Sequence, residues 1–286
     1  MIRHKAISLL VLTGIIWSTG GFIIKLIPWS SMVIAGLRSG ITALVIFFYA
    51  RPKNFNFSYN TWAGAFCYAL MVICFVIGNK LTTAGNVILI QYAAPIYVAI
   101  FSFSFLGERA SKFDWLAIII IMIGLIFFFL EELSLTQLWG NIFSILSGVG
   151  FAGLTLLMRK QKNERPIDSV LIGNILTFFI CSPFYFGGLT TDINAWTMII
   201  FLGVIQLGLS YILFGIVIRH VSALDAIIYP VIEPICNPIF AFLFLDESMS
   251  ATSQIGGGLV IVGIIGRGLI NEMSFEKGKP LKRGFP

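Results

Sequence analysis

The sequence PIYVAIFSFSFLGE, at residues 95–108, returns 139 residues later as PICNPIFAFLFLDE, at residues 234–247. At this offset the stretch 84–124 aligns with 223–263 without a gap, and the shared residues include a proline, several phenylalanines and a final glutamate. A weaker match, at an offset of 134, pairs the region around Trp17 with a stretch in the second half. The chain is therefore predicted to consist of two related halves.

The composition places both halves in a membrane. Of the 286 residues, 58% are hydrophobic and only 11% are charged, whereas soluble domains have about 25% charged residues. Apolar runs of roughly 17–25 residues recur along the whole chain, and each is long enough to cross about 30 Å of hydrocarbon. This pattern excludes a soluble enzyme, a nucleic-acid-binding protein and a secreted disulfide-bonded domain.

Ten apolar runs are predicted to be transmembrane helices, since continuous runs favour helices over the alternating pattern of barrel strands. Their predicted limits, numbered as spans one to ten, are 6–27, 31–50, 60–79, 84–106, 113–130, 138–158, 168–187, 196–217, 224–245 and 254–270. The first five-helix repeat covers 1–133 and the second covers 134–272. Residues 273–286 are predicted to form a flexible cytoplasmic tail.

The distribution of basic residues predicts the orientation. With the N-terminus in the cytoplasm, fifteen of the nineteen Lys and Arg residues fall in cytoplasmic segments, and reversing the protein would invert this bias. The chain is thus expected in the cytoplasmic (inner) membrane as a multi-pass protein with both termini cytoplasmic. The net charge of +6 is explained by this topology and needs no nucleic-acid partner.

Because five is odd, the second half must enter the membrane upside down relative to the first. Glu108 is then predicted on the cytoplasmic side and Glu247 on the opposite side. Inverted repeats are characteristic of transporters, in which two similar halves open a central cavity alternately to each side. The fold expected is an all-α membrane protein with two inverted five-helix repeats around a central cavity.

The paired motif quoted above, together with Trp17-Ser18, Lys25 and Arg38, resembles the EamA domain of the drug/metabolite transporter superfamily. The resemblance covers residues 6–270. It implies a ten-helix inverted-repeat fold, a central cavity and, in many members, export of amino acids or other small metabolites. Two features depart from the pattern: Asp246 stands where the family has glycine, and Arg38 has no counterpart in the second half.

Glu233 is the clearest candidate for a binding residue. It lies near the middle of span nine, where a charge costs about 2.5–3.5 kcal/mol on insertion scales. On an α-helix, Tyr229 and Asn237, four residues to either side, would share its face. Pro234 and its two neighbouring prolines leave backbone carbonyls without a donor. The region is therefore equipped to hold an ammonium group or a proton.

Other polar and aromatic residues are predicted to line the same site. Span four provides Gln91 and Tyr92, Trp17 lies at mid-depth of span one, and span eight carries two further candidates. The predicted substrate-binding residues are Glu233, Tyr229, Asn237, Trp17, Gln91, Tyr92, Gln206 and Tyr211. Tyr68 and Asn174 are expected to form hydrogen bonds between helices instead.

Structural or gating roles are predicted for a second group. Its members are Arg38, Lys25, Pro95, Pro234, Glu108 and Glu247. Arg38 either extends toward the outer interface or pairs inward, and both readings are open. Lys25 is expected at the interface, while Glu233 has the alternative role of an ion pair with Arg38 or Lys25. Glu108 and Glu247 are expected to cap or latch neighbouring backbone.

The function predicted is secondary transport of a small polar or zwitterionic metabolite, amino-acid-like or cationic, by alternating access and in the export direction. The alternatives are a proton-coupled multidrug or nucleobase-type exporter, a channel and a membrane-embedded enzyme. The enzyme is disfavoured because one carboxylate stands alone. The expected partners are the small-molecule substrate, membrane lipids and, in the proton-coupled case, protons. Two histidines and four scattered cysteines predict no metal site and no cofactor.

Overall fold

The computed structural model describes residues 3–51, 57–130, 136–187, 191–236 and 250–276. Within these ranges every regular element is helical. In the first half the helices are α1 Arg3–Trp17, α2 Gly20–Leu26, α3 Ser31–Ala50, α4 Tyr59–Leu81, α5 Ala84–Gln91, α6 Ala94–Leu106 and α7 Lys112–Phe128.

The second half continues with helices of three kinds. The α-helices are α8 Leu138–Lys160, α9 Pro166–Cys181, α10 Ile193–Phe201, α11 Ser210–Val217, α12 Ala223–Ile228 and α13 Ala251–Glu276. Two 3₁₀ segments, Ser182–Gly187 and Tyr229–Ile232, follow α9 and α12. A π-helical segment, Leu202–Leu209, joins α10 to α11.

Eight helical segments of the described ranges are long and apolar enough to cross a membrane. They are His4–Leu26, Ser31–Ala50, Tyr59–Leu81, Ala84–Leu106, Leu138–Lys160, Pro166–Phe186, Ile193–Val217 and Ala251–Asn271. Each coincides with a predicted span, so the chain is a multi-pass membrane protein. Predicted span five is a helix of 17 residues, and predicted span nine is described only as far as residue 236. The count of ten therefore stays a prediction.

Serine and threonine side chains set where several helices begin. Ser30, Ser58, Thr83, Ser111 and Ser222 each accept a hydrogen bond from the backbone N–H three residues later, which satisfies one of the four free donors of a helix start. Helix α6 ends at a glycine with φ of 72°, a left-handed conformation that favours glycine. These short signals position the ends of the helices.

Two spans of the first half are interrupted at mid-depth. Predicted span one breaks between α1 and α2, and span four breaks between α5 and α6, where Pro95 lies in the first turn of α6 and offers no N–H to the preceding turn. Broken helices at membrane depth expose backbone groups to a cavity in many transporters. Both interruptions lie next to the site described below.

Glycines bring the helices into close contact. A Cβ atom on Gly150 would lie 2.8 Å from the Cys67 carbonyl, and one on Gly256 would lie 2.5 Å from the Gly124 carbonyl. Close approach of small residues is how membrane helices gain packing energy without a hydrophobic driving force. Large apolar side chains such as Phe48 cover the outside, as lipid contact requires, while many polar side chains are buried within the bundle.

Candidate functional site

A cavity of about 40 Å³ lies between helices of both halves. Its described lining residues are Trp17, Arg38, Met71, Val72, Phe75, Gln91, Phe151, Gln206, Leu207, Tyr211 and Glu233. Five of the eight predicted substrate-binding residues are among them, and Arg38 joins them from the predicted structural group. Residues that are up to 216 positions apart in the sequence (17 to 233) thus converge on one point.

Glu233 follows the 3₁₀ segment directly, and its side chain is only 6% exposed. The Tyr92 hydroxyl lies 2.6 Å from Oε2 of Glu233 and 3.0 Å from the carbonyl oxygen of Pro230. That carbonyl has no α-helical bond, because the residue four positions later, Pro234, has no N–H; it accepts the backbone N–H of Glu233 instead. Tyr92 therefore contacts both the carboxyl group and the proline-freed backbone.

The local helix type separates Tyr229 from Glu233. Residues 229–232 form a 3₁₀-helix, which has three residues per turn, so positions four apart point about a third of a turn away from each other. The Tyr229 ring lies 6.0 Å from the guanidinium carbon of Arg267 and is not among the residues that line the cavity. This differs from the shared face that the sequence predicts. The predicted residues Asn237 and Glu247 lie outside the described ranges.

Arg38 adopts neither of the two arrangements that the sequence leaves open. Its side chain is 1% exposed, so it does not extend to the interface. Within the described ranges its Nε and Nη1 atoms have no protein hydrogen-bond partner, and it forms no ion pair with Glu233. Lys25, by contrast, is exposed near the end of α2, in agreement with an interfacial position.

Aromatic rings form one wall of the cavity. The Trp17 indole donates to Ser210 Oγ at 2.7 Å, and its ring centroid lies 5.6 Å from that of Phe151 and 5.2 Å from that of Tyr211. Edge-to-face and tilted contacts at these distances are favourable. The hydrogen bond to Ser210 and the ring contacts together fix the Trp17 indole. The wall therefore presents a rigid apolar surface beside the polar groups.

Two glutamines face the cavity in different hydrogen-bonding states. Gln91 donates to Ser147 Oγ at 2.8 Å, and Ser147 in turn donates to the Met71 carbonyl at 3.0 Å. Gln206 lies in the π-helical segment, and its buried Oε1 atom accepts no hydrogen bond from the described protein. π-Helical turns often occur at functional sites. The periodicity of the sequence gives no signal for this turn.

One end of the bundle is closed by a group that we call the Glu108 latch. Glu108 Oε1 accepts from Arg159 Nε at 2.8 Å, and Glu108 Oε2 accepts from the backbone N–H of Ala223 at 2.9 Å. Arg159 also donates to the carbonyls of Ile218 and Arg219. The latch joins the end of α6 to α8 and to the start of α12, and so connects the two halves.

A second buried ion network lies near the start of α7 and was not predicted. Arg267 donates to Asp114 Oδ1 at 2.8 Å and to Asp225 Oδ1 at 2.6 Å, and all three side chains are buried. Asp114 also completes a capping box with Ser111. In the sequence these three residues look like separate charges at span ends, and only the folded chain brings them together.

The predicted interhelical bond is present, and Tyr68 donates to Asn174 Oδ1 at 3.0 Å. Among the described residues, no cluster of three or more His, Cys, Asp or Glu side chains is placed to hold a metal ion. The chemistry of the cavity is therefore that of one carboxyl group, one guanidinium, two amides and aromatic rings. Such a set can bind a small polar molecule by charge and hydrogen bonds.

Comparison with known proteins gives related chains in several organisms. An uncharacterized transporter of Archaeoglobus fulgidus is 27% identical over 199 residues, which cover 68% of this chain and 71% of that protein. The uncharacterized transporter YwfM of Bacillus subtilis is 23% identical over 282 residues, covering 90% and 92%. The pseudopaline exporter CntI of Pseudomonas aeruginosa is 21% identical over 201 residues, covering 69% and 70%.

The fold has a counterpart among solved structures. A crystal structure that is 14% identical covers 93% of this chain and 99% of its own, with a TM-score of 0.79, which shows a shared fold alone. The model of the EamA-like transporter family matches residues 4–130 and, a second time, residues 138–267. The chain therefore belongs to the EamA-like transporter family of the drug/metabolite transporter superfamily.

Proposed function

We propose that this protein is a secondary transporter that exports a small polar or zwitterionic metabolite across the cytoplasmic membrane by alternating access. The observation that carries the proposal is the placement of the Glu233 carboxyl group in a cavity between the two halves. A buried carboxyl group at membrane depth is costly and is retained mainly where it has a function. Small-molecule sites of transporters lie in this position.

Symmetric packing supports the inverted repeat. Helices α3 and α9, and likewise α7 and α13, are equivalent in the two halves and pack on each other. Helix α4 packs on α8, and the equivalent pair in the other half, α11 on α1, is also in contact. Helices α5 and α6 pack on α8 as well, and their equivalent, the 3₁₀ segment at 229–232, packs on α1. Such exchange of partners is expected of halves related by a pseudo-twofold axis.

The surroundings of Glu233 support proton binding as well as substrate binding. A tyrosine hydroxyl has one hydrogen, yet Tyr92 faces two acceptors, Oε2 of Glu233 and the carbonyl of Pro230. If Glu233 is protonated, it can donate to Tyr92 while Tyr92 donates to Pro230, and every group is satisfied. If Glu233 is ionised, Tyr92 bonds the carboxylate, and the Pro230 carbonyl keeps only its bond from the backbone N–H of Glu233. The two protonation states therefore differ in local hydrogen bonding.

Export is the direction that we assign, and two observations favour it. The Pseudomonas relative bears the name of an exporter, and the resemblance to the superfamily favours export of metabolites. A proton-coupled exporter of drugs or nucleobases is the second candidate, because Glu233 with Tyr92 suits a proton site in either case. The two candidates differ in whether the cargo carries an anionic group.

Replacement of Glu233 by Gln tests the proposal. Purified protein is first screened for thermal stabilisation by amino acids, nucleobases, polyamines and cationic drugs, since a ligand of the folded state raises Tm. Counterflow of a stabilising compound is then measured in proteoliposomes between pH 5 and 8. Glu233→Gln is expected to reduce counterflow about tenfold or more and to remove its pH dependence.

The exposed Glu164 provides a matched control, and Glu164→Gln is expected to behave as the unmodified protein. Unchanged counterflow with an unchanged pH profile in Glu233→Gln would remove this residue from the mechanism. Protein-free vesicles set the background. If no compound of the screen is exchanged above that background, the transport proposal itself fails.

A further inference from the structure

We infer that Arg38 binds an anionic group of the transported molecule, and that the substrate therefore carries a carboxylate in addition to an amine. The inference rests on the proposed function and deepens it by naming the substrate class. Its starting point is the guanidinium of Arg38, which lines the cavity with its side chain 1% exposed and with Nε and Nη1 bonded to no described protein acceptor.

Among the described residues, no carboxylate forms an ion pair with Arg38. The titratable side chains that interact with it most strongly are Tyr68, Tyr211 and Cys181, which are phenols and a thiol and are neutral in their ordinary forms. Glu233 lines the same cavity, but no ion pair joins the two residues in the described ranges. The other lining residues that the structure describes are aromatic, aliphatic or neutral amide side chains, and none of them carries a negative charge.

A structural role does not account for this arrangement. A buried arginine stabilises a membrane bundle when it is paired with carboxylates, as Arg159 and Arg267 are in this protein, and it is costly when it is not. The two paired arginines form hydrogen bonds to carboxylates at 2.8 Å or less. Within the described ranges Arg38 has no such bond, so its buried, unpaired donors are the groups that a ligand in the cavity would satisfy.

The geometry of a guanidinium selects the ligand. Its planar set of N–H donors fits the two oxygens of a carboxylate, and such charge-assisted bonds are stronger than neutral ones. The acceptors on the cavity wall are complementary: the Glu233 carboxyl group and the unbonded Gln206 Oε1 suit an ammonium group. A molecule with both groups pairs both charges of the cavity, whereas an amine, a cationic drug or a nucleobase brings no negative charge to Arg38.

The test uses the L-amino acids other than Asp and Glu, each beside its decarboxylated amine, which keeps the side chain and lacks the single carboxylate. Thermal unfolding of the purified full-length protein is followed by reaction of its free cysteines with a thiol-reactive dye. At least one amino acid is expected to raise Tm, while its matched amine is not. Arg38→Gln is expected to weaken the binding of that amino acid by about tenfold or more.

Two further variants act as controls. Arg51→Gln changes an exposed arginine at the end of the same helix and is expected to keep the amino-acid response. Arg38→Met tests the unpaired state directly, because removal of an unpaired buried charge should leave Tm of the ligand-free protein equal or higher. A marked fall in Tm for Arg38→Met would show that the guanidinium is held by the protein itself.

The inference is overturned if an amine stabilises the protein as well as its amino acid does, if the response survives in Arg38→Gln, or if no amino acid gives a response. Counterflow in proteoliposomes separates this failure from that of the transport proposal. Exchange of an amine or a nucleobase, unaffected by Arg38→Gln, refutes the anion site and leaves the transporter standing. If none of these compounds is exchanged faster in proteoliposomes than in protein-free vesicles, the transport proposal is refuted.

Discussion

Replacement of Glu108 by Gln tests whether the Glu108 latch holds the two halves together. The substitution keeps an oxygen that can accept from the N–H of Ala223, 2.9 Å from the carboxylate, but removes the charge that faces Arg159 at 2.8 Å. Arg159 keeps two backbone carbonyl partners, so it is not left wholly unpaired. The structure therefore allows the expected loss to be worked out.

Removal of one partner from a buried ion pair lowers the free energy of unfolding by about 3–5 kcal/mol. The retained backbone bonds lower that cost, and we expect about 2–3 kcal/mol for Glu108→Gln. At about 2 °C per kcal/mol for a chain of this size, Tm falls by about 4–6 °C. Arg159→Met should cost a similar amount, and the double variant little more than either single one, because the second substitution has no pair left to break.

The assay is a double-mutant cycle on thermal unfolding in detergent, with Glu164→Gln as the exposed control and an expected shift within about 1 °C. Coupling of about 2 kcal/mol between Glu108 and Arg159 is the predicted result. Additive shifts, or a loss below about 1 °C for Glu108→Gln, would refute the latch. The latch would then be a contact without an effect on the joining of the halves.

Four further substitutions follow from the packing and the hydrogen bonds. Gly256→Ala places a methyl group against the backbone of α7 and should lower Tm, with a loss of about 1–3 kcal/mol in the free energy of unfolding. Its control is Gly258→Ala, which has open space around the added methyl group and should raise Tm slightly. Tyr92→Phe removes the donor to the cavity carboxyl group and should lower the free energy of unfolding by about 1–2 kcal/mol. The same substitution should shift the pH profile of counterflow, and an unshifted profile would contradict the proton site. Arg267→Met leaves two buried aspartates without their cation and should lower the free energy of unfolding by about 3–5 kcal/mol. A smaller loss than that of Glu108→Gln would contradict the stabilising role of this ion network.

Much of the fold follows from hydropathy alone. Eight predicted spans coincide with helices of the structure, with differences of a few residues at the ends, as between the prediction 254–270 and the helix Ala251–Glu276. Continuous apolar runs carry this information locally, because every lipid-facing turn needs an apolar surface. The two-half organisation also comes from sequence, since an ungapped internal match needs no structure to be seen.

The site is predicted less completely. A single charged residue inside an apolar span, such as Glu233, indicates a functional site because a charge at membrane depth is costly unless it has a function. The face of Tyr229 is predicted wrongly, since the prolines tighten the chain to a 3₁₀ turn and change the angle between neighbours. The unpaired state of Arg38 has no local signal either, because it depends on what distant helices bring to its side.

The buried ion networks depend on tertiary contacts in the same way. Arg267 and Asp114 are 153 positions apart in the sequence, and each alone looks like a charge at a span end that belongs to the topology. Helix caps are visible as short patterns, as at Ser111, but the second partner of a capping carboxylate is not. Sequence reasoning therefore locates the charges, and the fold decides their partners.

Alternating access to the cavity is the central claim, and the accessibility of one position tests it most directly. In a variant whose four native cysteines are replaced by alanine, Gln206→Cys places a thiol on the cavity wall. A membrane-impermeant thiol reagent is applied to right-side-out and to inside-out vesicles. We predict labelling from both sides, with protection by the transported molecule in each case. Labelling from one side only, or from neither, would contradict the claim.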